Sequence, residues 1–382
     1  MTPAARLAAA IEILDAVIIA ARDAGAAADT IVQRYFASRR YAGAKDRRAV
    51  RELVYDVIRS LGERPANGRQ AVIGHARAHD PALLDLFGDG PHAPARLVDG
   101  EPAAAPGLAP AWLVDALARR FGSDVERQLA ALLERAPLDV RVNALKAQRE
   151  AIAAEHPDWQ LLPRTRHGLR LPTGTAVEGL PEYGAGLIEV QDEGSQIAAA
   201  ALEAQPGETV VDLCAGAGGK TLALAADMKV QGRLVACDTD RARLAQLGPR
   251  SRRAGALGIE PRLLDPGREA ASLADLAGQC DAVLIDAPCS GSGTWRRNPE
   301  SRWRLTPARL DRLVATQAQL IRLGASLLKP GGRLVYVVCS LLPEEGERQL
   351  AGHAGLGKWT SRVLTPANEG CDGFFIAQTA RL

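Results

Sequence analysis

The chain has 382 residues, 47% of them hydrophobic, which predicts two or three domains of about 150 residues each with sizeable buried cores. Its net charge of +2 excludes a uniformly basic nucleic-acid binder, so any contact with RNA must use local basic patches. No apolar run approaches the ~20 residues of a membrane span, and the N-terminal stretch lacks a signal-peptide layout, so we expect a cytoplasmic protein with no membrane partner.

Residues 1 to about 85 carry the apolar period of amphipathic helices. One face of a predicted helix is formed by Val50, Leu53, Val54, Val57, Ile58 and Leu61. Within this region the segment Arg34–Arg59 has eight Arg or Lys residues against three Asp or Glu residues. A solvated helix face and a contact with an RNA backbone are both open interpretations of this excess.

The next stretch, residues 86–110, is rich in Pro, Gly and Ala and predicts a linker. Two amphipathic segments follow it, the first with Leu113 and Leu117 and the second with Leu129 and Leu132. Residues 138–145 and 159–165 then have the pattern of short strands around a helix, which predicts a small α/β unit.

From about residue 186, short apolar strands alternate with helical segments. The predicted strands are ETVVDLC, GRLVACD, EPRLLD, DAVLIDA and GRLVYVVCS. A long helix with Pro307 at its first position lies between the last two. This alternation predicts an α/β, Rossmann-like, doubly wound parallel sheet, in which ligands bind beyond the carboxyl ends of the strands.

A glycine-rich turn, VVDLCAGAGGKT (210–221), joins the first of these strands to a helix. The turn departs by one residue from the P-loop, which needs glycine at Cys214, and by one from the dinucleotide pattern, which needs glycine at Thr221. S-adenosylmethionine (SAM) is the third candidate ligand. We expect its amino-acid end to lie against Cys214, Ala215, Gly216, Ala217, Gly218, Gly219 and Lys220.

Acidic residues after the next two strands support the SAM interpretation. Asp238 ends the second strand, where it would accept hydrogen bonds from the ribose hydroxyls, and Asp265 ends the third, near the adenine. Either aspartate alone would be explained as a loop cap. Lys220 opposes the helix macrodipole by about 0.3–1 kcal/mol, a local cost that favours a functional role over a solvated lysine beside the turn.

The six cysteines all lie in the second half of the chain and none forms a CxxC pair, so neither a zinc framework nor a disulfide scaffold is expected. His75 and His79 have metal-ligand spacing but no third ligand nearby, so no metal site is expected. Cys289 and Cys339, each followed by a serine, come after the apolar runs of two different strands. In a doubly wound sheet of the methyltransferase type these two strands would be neighbours, about 4.8 Å apart, so both sulfurs are expected at one pocket beside the glycine turn.

Several motifs together resemble those of the Nop2/Sun family of RNA (cytosine-5)-methyltransferases. They are DLCAGAGGKT, DAPCSGSGTWRRNP, YVVCSLLPEE, IEVQDEGSQ (188–196) and DGFF (372–375). The resemblance covers residues 110–382, and the helical N-terminus is similar to the NusB-like extension of the bacterial small-subunit ribosomal RNA enzyme. Ala217, Val338 and Gly346 depart from the family pattern without removing a reactive group.

This resemblance implies three domains and a reaction. The domains are a helical NusB-like extension with its linker (1–105), a small RRM-like subdomain (106–185) and a SAM-dependent methyltransferase domain (186–382). The implied reaction transfers a methyl group to carbon 5 of a cytosine in RNA. The expected substrate is 16S ribosomal RNA, and the expected enzyme is a monomer.

The resemblance also implies a role for each reactive residue. Cys339 would be the nucleophile, because a thiolate that adds to carbon 6 of cytosine makes carbon 5 reactive toward the methyl group of SAM. Asp286 would hydrogen-bond the cytosine and border the cofactor, and Lys220 would position the reacting groups. Cys289 would assist release of the product.

Other functions stay open at this stage. DNA cytosine methyltransferases use a Pro-Cys cysteine as nucleophile, which would reverse the roles of Cys289 and Cys339. The substrate would be a transfer RNA in a second alternative, and in a third the chain would be a non-catalytic RNA-binding or ribosome-assembly factor. Amino-group methyltransferases are not favoured, because Asp-Ala-Pro-Cys does not fit their Asn/Asp-Pro-Pro-aromatic loop.

A basic-aromatic loop follows Cys289 in the chain. It contains Trp295, Arg296, Arg297, Arg302, Trp303 and Arg304. These residues would hold phosphate and stack the bases of RNA, or the tryptophans would pack in a core; the sequence supports the two interpretations equally.

Overall fold

The structure, a computed structural model, describes residues 1–23, 25–88 and 90–382. By their contacts these residues group into a first unit, residues 1–135 with 294–307, and a second unit, residues 136–293 with 308–382. No helix within the described ranges is long and apolar enough to cross a membrane.

The first unit is helical, as the apolar period predicts. Its α-helices are α1 (Pro3–Arg22), α2 (Ala28–Ala37), α3 (Ala44–Ser60), α4 (Gly68–His79), α5 (Ala111–Phe121) and α6 (Val125–Leu133). α1 begins behind Thr2, whose hydroxyl accepts a hydrogen bond from the backbone N–H of Ala5. The apolar face predicted for α3 is confirmed, because Val50, Val54 and Ile58 are completely buried.

A four-stranded antiparallel sheet opens the second unit. Its strands are β1 (Leu138–Val142), β2 (Gln160–Leu161), β3 (Gly168–Leu171) and β4 (Ile188–Val190), in the order β2-β3-β1-β4. The helices α7 (Arg149–Glu155) and α8 (Pro181–Gly184) connect these strands. Because β4 pairs with β1, the boundary predicted at residue 185 falls inside this sheet.

A seven-stranded sheet follows, in the order β10-β11-β9-β8-β5-β6-β7. Its strands are β5 (Thr209–Asp212), β6 (Arg233–Asp238), β7 (Glu260–Leu263), β8 (Cys280–Asp286), β9 (Leu328–Val338), β10 (Thr360–Leu364) and β11 (Phe374–Ala380). The five predicted strands, β5 to β9, are confirmed and run parallel. β10 and β11 were not predicted, and they pair antiparallel at one edge, so the sheet is mixed.

Helices accompany this sheet along the chain. They are α9 (Glu193–Ala200), α10 (Gly219–Asp227), α11 (Arg241–Leu244), α12 (Leu247–Ala254), α13 (Glu269–Ser272), α14 (Pro307–Leu327) and α15 (Pro366–Glu369). The predicted start of the long helix at Pro307 is confirmed.

Alternate residues of the central strands enter two different apolar cores. Leu284 of β8 and Val335 of β9 belong to one core, whereas Ile285 and Tyr336 belong to the other. Successive side chains of a strand point to opposite faces of a sheet, so both faces of this sheet are buried. Strands that are buried on both faces read as continuous apolar runs, which is the pattern from which they were predicted.

Candidate functional site

The carboxyl ends of three neighbouring parallel strands bring the predicted reactive residues together. β8 lies between β5 and β9, and Asp286 at the end of β8 is level with Val337 in β9. Cys289 and Cys339 follow shortly beyond these two positions, and their Sγ atoms are 3.4 Å apart. The prediction that the two sulfurs lie close together beyond the carboxyl ends of their strands is confirmed.

Lys220 and Asp286 form an ion pair at the same carboxyl ends of the strands. The Nζ atom of Lys220 lies 2.7 Å from Oδ2 of Asp286 and 5.6 Å from the centroid of the Phe374 ring. Burial lowers the pKa of Lys220, but the charge and hydrogen bond of Asp286, with a smaller contribution from Cys339, outweigh burial and raise it. Lys220 is therefore an ammonium at neutral pH, and its charge acts on the sulfur of Cys339.

Cys289 differs from four other thiols of the chain in the first cause of its raised pKa. A hydrogen bond with Cys339, together with burial, raises the pKa of Cys289 well above its ordinary value. Cys289 therefore keeps its proton at neutral pH and can donate it in a hydrogen bond to the sulfur of Cys339. Burial is the first cause of the raised pKa values of the other four thiols, Cys214, Cys237, Cys280 and Cys371.

The glycine turn joins β5 to α10, as the sequence predicts. Gly216 and Gly218 have φ angles of 56° and 87°, in the left-handed region that glycine adopts without strain. A Cβ atom at Gly218 would lie 2.3 Å from Cδ1 of Leu247, so the Leu247 side chain would have to shift to admit one. Three residues of the turn are buried, namely Ala215, Gly216 and Gly218. The partly exposed residues are Cys214, Ala217, Gly219 and Lys220.

The two acidic residues expected to hold SAM differ in their surroundings. Asp238 ends β6 and is buried; its Oδ2 accepts the backbone N–H of Gly216 at 2.7 Å, and its Oδ1 accepts that of Asp240 at 2.7 Å. Each carboxylate oxygen keeps a second acceptor position. Asp265 lies just beyond the end of β7 and is exposed to solvent.

Asp212, at the end of β5, was not singled out by the sequence analysis. It is completely buried, and its Oδ2 accepts a 2.6 Å hydrogen bond from the hydroxyl of Thr221 in α10. Its Oδ1 has no hydrogen-bond partner among the described residues. Burial raises the pKa of Asp212 to about 7. The acidic residue within the glycine-turn motif was the available signal for this group.

We expect Asp212→Asn to remove a pH dependence of stability. Because folding raises the pKa of this carboxyl above its unfolded value, its contribution to stability is fully present below about pH 4 and is lost as the pH rises through 7. From pH 5 to pH 7 the wild-type protein should lose about 2 kcal/mol of unfolding free energy relative to the variant. Urea unfolding of both proteins at the two pH values measures this difference, and parallel pH profiles would refute it.

A serine–glutamate network, formed by Ser290, Ser292, Ser340 and Glu345, was also missed. The hydroxyls of Ser290 and Ser340, the residues that follow the two cysteines, are 3.1 Å apart, and both donate to the carboxylate of Glu345. The repetition of Cys-Ser at two strand ends was the sequence signal for it.

Two family models match the chain. The model described as "16S rRNA methyltransferase RsmB/F" matches residues 199–354, and the model described as "Methyltr_RsmF/B-like, ferredoxin-like domain" matches residues 109–178. A probable ribosomal RNA small subunit methyltransferase B from Synechocystis is 36% identical over 298 residues, which are 70% of this chain and 66% of that protein. The chain belongs to the RsmB/F family of methyltransferases.

Another curated relative and two solved structures are also similar to this chain. The ribosomal RNA small subunit methyltransferase B of Erwinia tasmaniensis is 34% identical over 289 residues, 72% of this chain and 66% of that protein. The chain thus spans 66% of the length of these curated relatives. A methyltransferase homolog from Pyrococcus horikoshii is 28% identical with a TM-score of 0.63, covering 71% of this chain and 95% of that one. The crystal structure of PH0851 shares the fold, with a TM-score of 0.75, 23% identity and 99% of both chains covered.

The DGFF motif of this RsmB/F chain packs its backbone against the cysteine loops. The N–H of Gly373 donates to the carbonyl of Gly293 at 2.8 Å, and the N–H of Gly293 donates to the carbonyl of Cys339 at 3.0 Å. A Cβ atom at Gly293 would lie 2.0 Å from the carbonyl oxygen of Gly373, so only glycine permits this approach. The motif therefore supports the segment that carries Cys339.

The basic-aromatic loop does not present stacking surfaces in this RsmB/F chain. Trp295 and Trp303 are 1% and 4% exposed, and Trp303 belongs to the core of the first unit. The guanidinium of Arg302 is buried and donates to the backbone carbonyls of Ile58 and Leu61 at 2.6 and 2.8 Å. The base-stacking interpretation of the tryptophans is wrong, and core packing is correct.

The remaining candidates lie in the helical first unit. Nδ1 of His75 lies 2.9 Å from the hydroxyl of Ser60, and the rings of His75 and His79 are 5.4 Å apart, so His75 already has a partner within the protein. In the basic segment Arg34–Arg59, Arg51 pairs with Asp29 at 2.9 Å on the surface. A contact of this segment with RNA stays a prediction.

Proposed function

We propose that the chain is a SAM-dependent RNA methyltransferase that forms 5-methylcytidine in ribosomal RNA of the small subunit. The observation that carries the proposal is the 3.4 Å contact between Sγ of Cys289 and Sγ of Cys339, beside the Lys220–Asp286 ion pair. Two thiols and a carboxylate at the carboxyl ends of neighbouring strands are the groups that covalent methylation of a pyrimidine ring needs. The names of the relatives support ribosomal RNA as the substrate class.

The residues around the glycine turn fit SAM. The free acceptor positions on the Asp238 carboxylate suit the hydroxyls of a ribose. The space beside Gly219 is open, since among the described residues no atom outside its chain neighbours and its own helix backbone lies within 4 Å of where its Cβ would be. The buried Oδ1 of Asp212, which lacks a partner among the described residues, is a polar atom at the same turn. When bound there, SAM would supply an electrophilic methyl group.

Cys339 acts as the nucleophile in this proposal. Its sulfur attacks as the thiolate and forms a bond to carbon 6 of the cytosine while the electrons of the ring double bond move toward carbon 5. The target base reaches this pocket by leaving its stack. Asp286 accepts a hydrogen bond from the base edge and Lys220 holds Asp286 in place through the 2.7 Å contact.

Release of the product is assigned to Cys289. After methylation, the proton of carbon 5 leaves to water, its bonding electrons restore the ring double bond, and the bond from Cys339 to carbon 6 breaks with the electron pair returning to sulfur. Cys289 carries its proton at neutral pH, so it donates a hydrogen bond to the departing sulfur of Cys339 and stabilises it.

Bisulfite mapping of ribosomal RNA tests the proposed function. We expect cells that lack the protein to lose methylation at one or more cytosines of small-subunit ribosomal RNA, and the purified protein with SAM to restore it in vitro. An unchanged map, together with no methyl transfer to that RNA, would contradict the proposal. Methyl transfer to transfer RNA alone would retain the chemistry and refute the substrate class.

Asp238→Ala should weaken SAM binding by about tenfold or more, because the buried carboxylate both supports the Gly216 N–H and accepts the ribose hydroxyls. Asp265→Ala is the matched control, since that carboxylate follows the next strand but is exposed; its effect on affinity should be smaller. Calorimetric titration with SAM measures both. Equal affinities of wild type and Asp238→Ala would remove Asp238 from the cofactor site.

A further inference from the structure

A buried carboxylate connects the two cysteine loops of the second unit. Glu345 is completely buried, and its Oε1 accepts hydrogen bonds from the backbone N–H of Ser290 at 2.8 Å and from Nε2 of Gln317 at 2.9 Å. Its Oε2 accepts the hydroxyl of Ser290 and, at 2.5 Å, the hydroxyl of Ser340. Each carboxylate oxygen thus has both acceptor positions occupied by donors.

The donors to Glu345 determine what its burial costs. All four are neutral N–H or O–H groups, and no ion pair of Glu345 occurs among the described residues. A carboxylate buried without a cation is costly even when it is fully hydrogen-bonded, so stability alone does not explain its presence. Charge-assisted hydrogen bonds are short and directional, which makes the group suited to holding geometry.

The residues that Glu345 holds are the immediate neighbours of the paired sulfurs. Ser290 follows Cys289 and Ser340 follows Cys339, so one carboxylate fixes the backbone next to each sulfur. Further hydrogen bonds hold the backbone of Glu345 and the side chain of its donor Gln317. The hydroxyl of Tyr336 in β9 donates to the carbonyl of Glu345 at 2.7 Å, and Gln317 in α14 also donates to the carbonyl of Pro288 at 2.9 Å.

We propose that Glu345 is a positioning residue that sets the distance between the sulfurs of Cys289 and Cys339. The role rests on the proposed function, in which one sulfur attacks the base and the other assists its departure. Glu345 acts through Ser290 and Ser340 and touches neither sulfur in these contacts. A displacement of about 1 Å in such an arrangement costs on the order of 10²-fold in rate.

The distance between the sulfurs can be measured without any reaction on RNA. An azo-type thiol oxidant removes two electrons and two protons from the pair, joins the sulfurs as a disulfide and is itself reduced to a hydrazine. Both cysteine residues are partly exposed, which gives the oxidant a route to the pair. Peptide mass analysis after a timed reaction gives the rate of formation of the Cys289–Cys339 disulfide.

Glu345→Ala should slow this disulfide formation by about fivefold or more and lower kcat for methyl transfer by about 10- to 100-fold, with SAM affinity unchanged. Glu345→Gln keeps one acceptor oxygen and should restore part of both rates. Glu344→Ala is the matched control, because the neighbouring carboxylate accepts a hydrogen bond from Arg348 at 3.0 Å. It should form the disulfide at the wild-type rate.

The outcomes separate the two proposals. Disulfide formation by Glu345→Ala at the wild-type rate would overturn the positioning role. If Glu345→Ala does not fold, Ser340→Ala, which removes a single hydroxyl of the network, is measured instead, and an unchanged rate there would overturn the role equally. Slower disulfide formation in the variant, with no methyl transfer to RNA by the wild type, would refute the proposed function and leave the positioning role standing.

Discussion

Cys339→Ala is expected to abolish methyl transfer to RNA, lowering kcat by on the order of 10⁴-fold or more, as removal of an attacking nucleophile does in other covalent enzymes. The reason is that no other group replaces its sulfur: Cys289, 3.4 Å away, has a raised pKa and keeps its proton. SAM affinity should stay close to that of the wild type, because the glycine turn and Asp238 are unchanged. A methyl-transfer assay with labelled SAM, together with calorimetry, measures both quantities.

Cys280→Ala is the control for loss of a thiol as such. Cys280 begins β8, at the opposite end of the strand from Asp286, and it is completely buried. This variant should keep most of its kcat and lose stability instead, since a small cavity replaces the sulfur. Retention of methyl transfer by Cys339→Ala, with loss in Cys289→Ala, would assign the attack to the other sulfur.

Asp286→Asn is expected to lower kcat by on the order of 10²–10³-fold while the protein stays folded. The amide keeps the shape of the side chain but loses the charge that pairs with Lys220 at 2.7 Å and that would stabilise the base adduct. If the two residues act as a unit, Asp286→Asn combined with Lys220→Met should cost little more than either change alone. Single-turnover rates of the three variants measure this coupling.

Asp281→Asn is the matched control on the same strand. Its carboxylate lies near the start of β8, at the opposite end of the strand from Asp286. It accepts the backbone N–H of Thr209 at 2.9 Å and pairs with Lys329. We expect kcat of this variant to stay near that of the wild type. Equal losses in Asp281→Asn and Asp286→Asn would mean that the effect is one of sheet stability.

Much of the fold was predictable because burial on both faces imposes a simple pattern. Strands β5 to β9 appear in the sequence as apolar runs, and their parallel order brings the loop after Asp286 next to the loop after Val338. From that order alone, Cys289 and Cys339 could be placed together. The glycine turn was predictable for the same kind of reason, because positive φ angles at Gly216 and Gly218 require that residue type.

What could not be predicted depends on contacts between distant parts of the chain. Arg302 reads as a surface cation, but its guanidinium donates to carbonyls near residue 60, a pairing that no local pattern encodes. β10 (TSRVL) is mostly exposed and lacks the apolar run of a buried strand, so its antiparallel pairing with β11 was missed. Glu345 likewise reads as one of two adjacent glutamates, and its burial and its bonds from Ser290 and Ser340 appear only in the folded chain.

The most direct test of the account is a denaturing gel of Cys289→Ala after incubation with unmethylated ribosomal RNA and SAM. This variant keeps the attacking sulfur but lacks the group that assists its departure, so a covalent protein–RNA species should accumulate and resist denaturation. Cys339→Ala and the double variant should show no such species. A covalent species with Cys339→Ala and none with Cys289→Ala would contradict the assigned roles and favour the mechanism in which the Pro-Cys cysteine attacks.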